Sequence, residues 1–189
     1  MAERLIGLTG FAGAGKDTVA LLFEQLAGYK PYAFAKPLKQ ALDVLGIREP
    51  SDRVQKEALI PGRNYSYRTA AQRLGTEWAR SLDPDFWINL ATDFVQKNDR
   101  VVISDVRFEN EADMVRSQGG TMIHIVGREP TVTGDNLKHP SEKPLIAQVA
   151  DVVLDNSGDL QALHYKVLEI LHMQDSDQLR KVGNNAPSI

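Results

Sequence analysis

The chain contains no cysteine, which excludes disulfides, thiolate nucleophiles and cysteine-based metal sites. No run of about 18 apolar residues occurs, and the apolar stretch within the opening MAERLIGLTGFAGAGKD is too short for a signal peptide. Neither membrane spanning nor export is expected, and the expected location is cytoplasmic. Charge of one sign is also scarce. Lys and Arg number 22 against 25 Asp and Glu, for a net charge of −3. This gives no general attraction to polymeric nucleic acid or to an anionic membrane, so any anion site must be local. Internal repeats and low-complexity tracts are absent. What remains, 189 residues with 42% hydrophobic and 25% charged side chains, suits one folded domain with a substantial core.

Strand-like and helix-like segments alternate. Arg4–Thr9 reads as a short buried strand, followed after a glycine loop by a helix carrying Val19, Ala20, Leu22, Phe23 and Leu26 and closed at Gly28. Tyr32–Ala35 reads as a second strand, and Leu38, Ala41, Leu42 and Leu45 as one face of a short helix. The pattern lapses from Arg48 to Tyr67, an excursion from the sheet. Helices are predicted over Thr69–Ser81 and Asp85–Gln96, the latter capped by Asp85. Val101, Val102 and Ile103 run without alternation, as in a parallel strand covered on both faces. Asn110 then caps a helix, Met122–Val126 and Val152–Leu154 read as strands, and Leu160–Leu171 as a last helix. The polar tail, 174–189, is expected to fray. This alternation predicts an α/β fold, a parallel sheet with helices on both faces. The domain is 1–173, with an acceptor-side region at about 37–97 and a short lid at about 127–144.

Gly10, Gly15 and Lys16 satisfy G-x-x-x-x-G-K, with Gly13 as a further glycine. Such glycines let the backbone wrap so that successive N–H groups converge on phosphate oxygens, and the following helix adds the positive end of its dipole. The nucleotide-phosphate contacts predicted are Gly10, Ala12, Gly13, Ala14, Gly15, Lys16, Asp17 and Thr18, with Lys16 reaching the β and γ phosphates. Where such loops carry Ser or Thr after the lysine, this chain has Asp17. Asp17 could hold magnesium, meet a substrate group, or stabilise the helix N-terminus by about 0.3–1 kcal/mol.

Asp105, at the end of the Val101–Ser104 strand, is the expected metal-organising acid, and Arg107 stands two residues on. Arg107 could grip an acceptor phosphate bidentately or pair with Glu109 or Glu111 at the surface. Arg128, Lys138 and Lys143 fall where a lid could close over a phosphoryl group, with Arg128 the first candidate. Arg68, Gln72, Arg73, Trp78 and Arg80 could bind an acceptor. Gln72 and Arg73, however, point about 100° apart on a helix, so some of this group must be structural. His124 and His139 lack partners at metal spacing.

The segments Gly15–Thr18, Phe34–Lys39, Arg73–Glu77, Asp85–Trp87, Ser104–Ala112, His139–Glu142 and Asp155–Gly158 occur in order across the chain. In them the sequence resembles the phage-type deoxynucleoside monophosphate kinases of the P-loop nucleoside monophosphate kinase superfamily. The resemblance implies a three-layer P-loop fold with a helical acceptor-binding insertion and a lid. It implies ATP and Mg²⁺ as donor and metal, a deoxynucleoside 5′-monophosphate as acceptor, and a host cytoplasmic setting if phage-encoded. It also allows a homodimer, which no residue pattern establishes. Lys16 and Arg128 would stabilise the transferring phosphate, and Arg107 and Arg68 would hold the acceptor phosphate. Asp105 and Asp17 would serve the metal, and Asn156 would lie near the adenine. Lys36 and Glu109, inside the matching segments, join the acceptor-site candidates. Two other readings stand beside this one: a kinase of another phosphorylated acceptor, of phosphomevalonate or dephospho-coenzyme A type, and a nucleotide-dependent switch.

Overall fold

A computed structural model describes residues 4–128, 145–149 and 151–184. Five strands, β1 (Arg4–Thr9), β2 (Lys30–Tyr32), β3 (Arg100–Ile103), β4 (Thr121–Val126) and β5 (Val152–Asp155), form one parallel sheet in the order β2-β3-β1-β4-β5. The unbroken apolar run of β3 has a direct cause. Val102 faces a core with Ile6, Leu8, Ile123 and Ile125, while Val101 and Ile103 face a second core with Leu5 and Met122. Helices α1 (Lys16–Ala27) and α8 (Leu160–Asn184) cover the first face. Helices α6 (Phe86–Gln96) and α7 (Glu109–Ser117) cover the second through Trp87, Ala91, Val95, Ala112 and Val115. The three-layer expectation is met. No helix among the described residues is long and apolar enough to cross a membrane.

Between β2 and α6 lies the insertion. It comprises α2 (Ala35–Val44), α3 (Arg53–Glu57), α4 (Tyr67–Gln72), a π-helical stretch (Arg73–Trp78) and α5 (Ala79–Leu82). It carries its own small core, in which Leu42, Ile47 and Tyr67 are buried.

Several local expectations are corrected. The second strand ends at Tyr32 instead of Ala35, because the Phe34 and Ala35 N–H groups turn to the Asp105 carboxylate (2.7 and 2.9 Å) and start α2. The excursion contains a short helix, α3, whose N-cap Asp52 accepts from the Val54 N–H at 3.0 Å. The helix read as continuous over Thr69–Ser81 widens into a π-helix where the Gly75 carbonyl is taken by Trp87 Nε1 at 2.8 Å. Asp85 stands at the N-cap of α6 without capping it, its carboxylate accepting from Asn110 Nδ2 at 2.6 Å. Asn110 does not cap α7; the Glu111 carboxylate instead accepts the Arg107 and Phe108 N–H groups. The last helix continues past Gln174 to Asn184, Gln174 accepting from Tyr29 Oη at 2.9 Å. Most of the predicted lid, including Lys138, His139 and Lys143, and the terminal residues 185–189 lie outside the described residues.

Candidate functional site

The glycine loop joins β1 to α1 in a conformation that side chains resist. Gly10, Gly13 and Gly15 have φ of 144°, 94° and 99°, values open mainly to glycine. A Cβ on Gly10 would stand 2.6 Å from the Ile125 carbonyl oxygen, and one on Gly15 would collide with the Asn156 amide nitrogen. The Ala14 N–H donates to the Phe11 carbonyl at 3.0 Å, closing the loop, and Lys16 Nζ donates to the Gly10 and Phe11 carbonyls at 2.7 and 2.9 Å. Gly15, the N-cap of α1, supplies no side-chain cap. The N-terminus of α1 thus presents the positive end of its dipole to the cleft.

This loop opens on a cleft of about 770 Å³. From β1 and α1 the cleft takes Ala12, Gly13, Gly15, Lys16, Asp17 and Thr18; from the insertion Lys39, Glu49, Lys56, Tyr67, Arg68 and Gln72. The exit of β3 adds Asp105, Arg107 and Glu111, and the ends of β4 and β5 add Arg128 and Asn156. Both expected halves of the site thus share one cavity.

Some candidates do not line it. Gly10 and Ala14 form the loop's underside, Ala14 being buried with its carbonyl accepting from Asn156 Nδ2 at 2.7 Å. Lys36 is exposed outside the cleft, where Lys39 of the same helix lines it. Arg73 points to solvent and pairs with Glu77 at 3.9 Å, and Trp78 is exposed with its ring edge on Phe86. Glu109 is exposed and pairs with Arg116 at 3.6 Å. Arg80 is held away by Asn110 (2.7 Å) and Glu111 (3.3 Å), its guanidinium stacked 3.8 Å from the centroid of Phe108. Asn156, read as an adenine neighbour, does line the cleft, but it is 2% exposed and its amide props the phosphate loop.

Sequence reasoning missed Lys39, Glu49, Lys56, Tyr67 and Glu111. Lys39 and Glu111 sit inside segments already singled out, Lys39 one helical turn from Lys36 and Glu111 two residues from Glu109. Lys56 comes from the stretch without periodicity and reaches the cleft because α3 forms. Glu49 bridges Lys39 (3.1 Å) and Lys56 (2.6 Å), and Arg68 pairs with Glu57. Burial pushes the Glu49 carboxyl up, but the two lysines outweigh it and hold the group below its ordinary value. The Tyr67 hydroxyl is pushed up to about 12 by burial and by Glu49 and Asp43. That hydroxyl and Gln72 Nε2 are buried without a hydrogen-bond partner.

Two carboxylates flank Arg107. Burial pushes Asp105 up, against the Ala35 N–H, Arg107, the Phe34 N–H and Lys39. Both of its oxygens accept backbone N–H groups, so the carboxylate read as the metal acid is engaged in starting α2. Burial likewise pushes Glu111 up to about 7, the Arg107 N–H opposing and the Asp105 charge reinforcing it. The exposed carboxylate at the loop is Asp17. Among the described residues no group of three or more His, Asp or Glu could hold a metal ion. Magnesium bound largely by substrate phosphates needs only one or two protein carboxylates, which this donor set can supply.

A model of the deoxynucleotide monophosphate kinase family matches residues 47–167. Over 184 residues the chain is 32% identical to a protein of Acanthamoeba polyphaga mimivirus named as a candidate deoxynucleotide monophosphate kinase, covering 87% of this chain and 94% of that one. It is 34% identical over 113 residues to the deoxynucleotide monophosphate kinase of Escherichia phage RB69, covering 57% of this chain and 45% of the phage protein. Among solved structures it resembles a gluconokinase from Sinorhizobium meliloti (TM-score 0.55, 14% identity, 95% and 97% covered) and shikimate kinase from Aquifex aeolicus (0.54, 16%, 90% and 98%). At such identities these two show a shared fold.

Proposed function

Because the chain belongs to the deoxynucleotide monophosphate kinase family, we propose that it transfers the γ-phosphoryl group of ATP to a deoxynucleoside 5′-monophosphate, giving the diphosphate and ADP. The observation that carries this is the joining of the glycine loop and the insertion's cations in one cleft. An oxygen of the acceptor phosphate attacks the γ-phosphorus while the bond from that phosphorus to the β–γ bridging oxygen breaks, and ADP leaves. Little of this needs covalent help from protein; it needs positioning and compensation of spread negative charge.

In this reading the loop N–H groups and the N-terminus of α1 hold the donor phosphates. Lys16 exchanges its contacts with the Gly10 and Phe11 carbonyls for phosphate oxygens. Arg107 and Arg68 grip the acceptor phosphate, and Lys39 and Lys56 add positive charge from the insertion. Arg128, anchored by its Nε to the Asn156 carbonyl at 3.0 Å, meets the transferring group. Magnesium, held by Asp17 with the phosphates, would neutralise charge on the β and γ oxygens. Asn156 supports the loop through Ala14. The setting we propose is a host-cell cytoplasm, in keeping with the phage and viral relatives.

Lys16→Ala tests the assignment. Loss of one transition-state charge stabiliser predicts a fall in turnover of about 10²–10³ or more, measured as ADP formed from ATP with deoxynucleoside monophosphates present. Turnover near the parent's would remove Lys16 from the reaction.

A further inference from the structure

The turn leaving β3 is pinned at each step. The Ser104 N–H donates to the Tyr32 carbonyl and the Val106 N–H to the Leu8 carbonyl, both at 3.0 Å. Asp105 accepts from Phe34 and Ala35. The next two N–H groups, of Arg107 and Phe108, donate to one oxygen of Glu111 at 2.8 and 3.1 Å. This last anchor is, like Asp105, a carboxylate, and it is only 2% exposed; unlike Asp105 it holds the turn's own N–H groups. Its countercharge is Arg80 of α5, itself nearly buried.

Glu111 stands at N3 of α7 and reaches back to the N–H groups of the N-cap Phe108 and of Arg107 before it, as the acid of a capping box does, but here its charge is buried. A buried ion pair is commonly no better for stability than apolar residues of similar size. Stability alone therefore does not account for Glu111 and Arg80, and the groups they fix are informative. Glu111 sets the backbone of Arg107, which lines the cleft. Arg80 and Asn110 join that turn to the insertion, Asn110 Nδ2 donating to the Pro84 carbonyl at 2.9 Å.

We infer that Glu111, held by Arg80, is the positioning residue that aims Arg107 at the acceptor phosphate and couples that aim to the acceptor-binding insertion. The inference rests on the reading of Arg107 given above. Glu111 touches no reacting atom. Its anion accepts both backbone N–H groups and pairs with Arg80, whereas protonation surrenders the pairing and part of the acceptance. The charges facing it are Arg80 from α5 and Asp105 from the end of β3, with the Arg107 and Phe108 N–H groups from the turn itself.

The test compares Glu111→Gln, Arg80→Gln, their double variant and Arg107→Gln, using ATP and whichever deoxynucleoside monophosphate the parent protein turns over fastest. Glu111→Gln and Arg80→Gln are each expected to lower kcat/KM for the acceptor by about 10- to 100-fold, with KM for ATP within about twofold of the parent. The double variant is expected to be no worse than the weaker single, as for residues acting as one unit. Between pH 6 and 8 the parent's acceptor kcat/KM should rise more steeply than that of Glu111→Gln; ionisation of the substrate phosphate is common to both and cancels. A loss at Arg107→Gln, with Glu111→Gln and Arg80→Gln both folded and within twofold of the parent, overturns the positioning role and leaves the Arg107 reading intact. No loss at Arg107→Gln overturns both. If Glu111→Gln fails to fold, Arg80→Gln decides by the same criteria.

Discussion

Glu111 and Asp151 are both carboxylates with almost no exposed side-chain surface, and their surroundings move them in opposite directions. For Glu111 burial wins and the group rises to about 7. For Asp151 burial also pushes upward, but Arg116, the Gln148 N–H and His124 overcome it and hold the group near 2. The consequences for stability have opposite signs. A raised carboxyl contributes stability that is full below its unfolded value, about 4.5, and is lost as pH rises through 7. The parent should therefore lose roughly 2–3 kcal/mol relative to Glu111→Gln between pH 5 and pH 8. Urea unfolding of both proteins at the two pH values checks this, and a constant gap would contradict it. Asp151, being depressed, contributes stability above about 4 that is lost as pH falls toward 2. At this scale the sequence was most legible in the glycine loop, where residue type and spacing state the backbone geometry. It was least legible among the cations. Arg80 and Lys39 look alike in sequence, and only the neighbours, Glu111 for one and the cleft for the other, separate them.

The elements legible in the sequence were those whose burial repeats along the chain. The β3 run and the apolar stripe of α1 are examples, each fixed by a core on a known face. The π-helical stretch was not legible, because it depends on Trp87, twelve residues away, capturing the Gly75 carbonyl. Trp87→Phe keeps the ring's packing and removes that donor, leaving a buried carbonyl unsatisfied. A cost of about 1–3 kcal/mol is expected in denaturant unfolding; an unchanged midpoint would show that the carbonyl finds another partner. Gly15→Ala tests the loop in the same manner. With φ at 99° and the Asn156 amide in the way, the substitution should weaken ATP binding at least tenfold, about 1.4 kcal/mol, as read by calorimetric titration. Binding equal to the parent's would mean that the loop tolerates a side chain there.

For the molecule as a whole, alternation of strands and helices announced a parallel three-layer α/β fold, but not its strand order. Order is what makes the site. β3 pairs with β1 directly, so the turn bearing Asp105 and Arg107 emerges beside the glycine loop. The insertion, packed on its own small core, brings Lys39, Lys56 and Arg68 to the same cavity. The acceptor side was harder to read because its cations come from three short elements without shared periodicity. The central claim is that these two halves serve one phosphoryl transfer. The most direct measurement is ADP formation by the purified protein with ATP and Mg²⁺, comparing each deoxynucleoside monophosphate, its ribose counterpart and no acceptor. A large rise above the ATP-only rate with one or more deoxynucleotides is predicted, and rates that stay at that baseline with every acceptor would contradict the account.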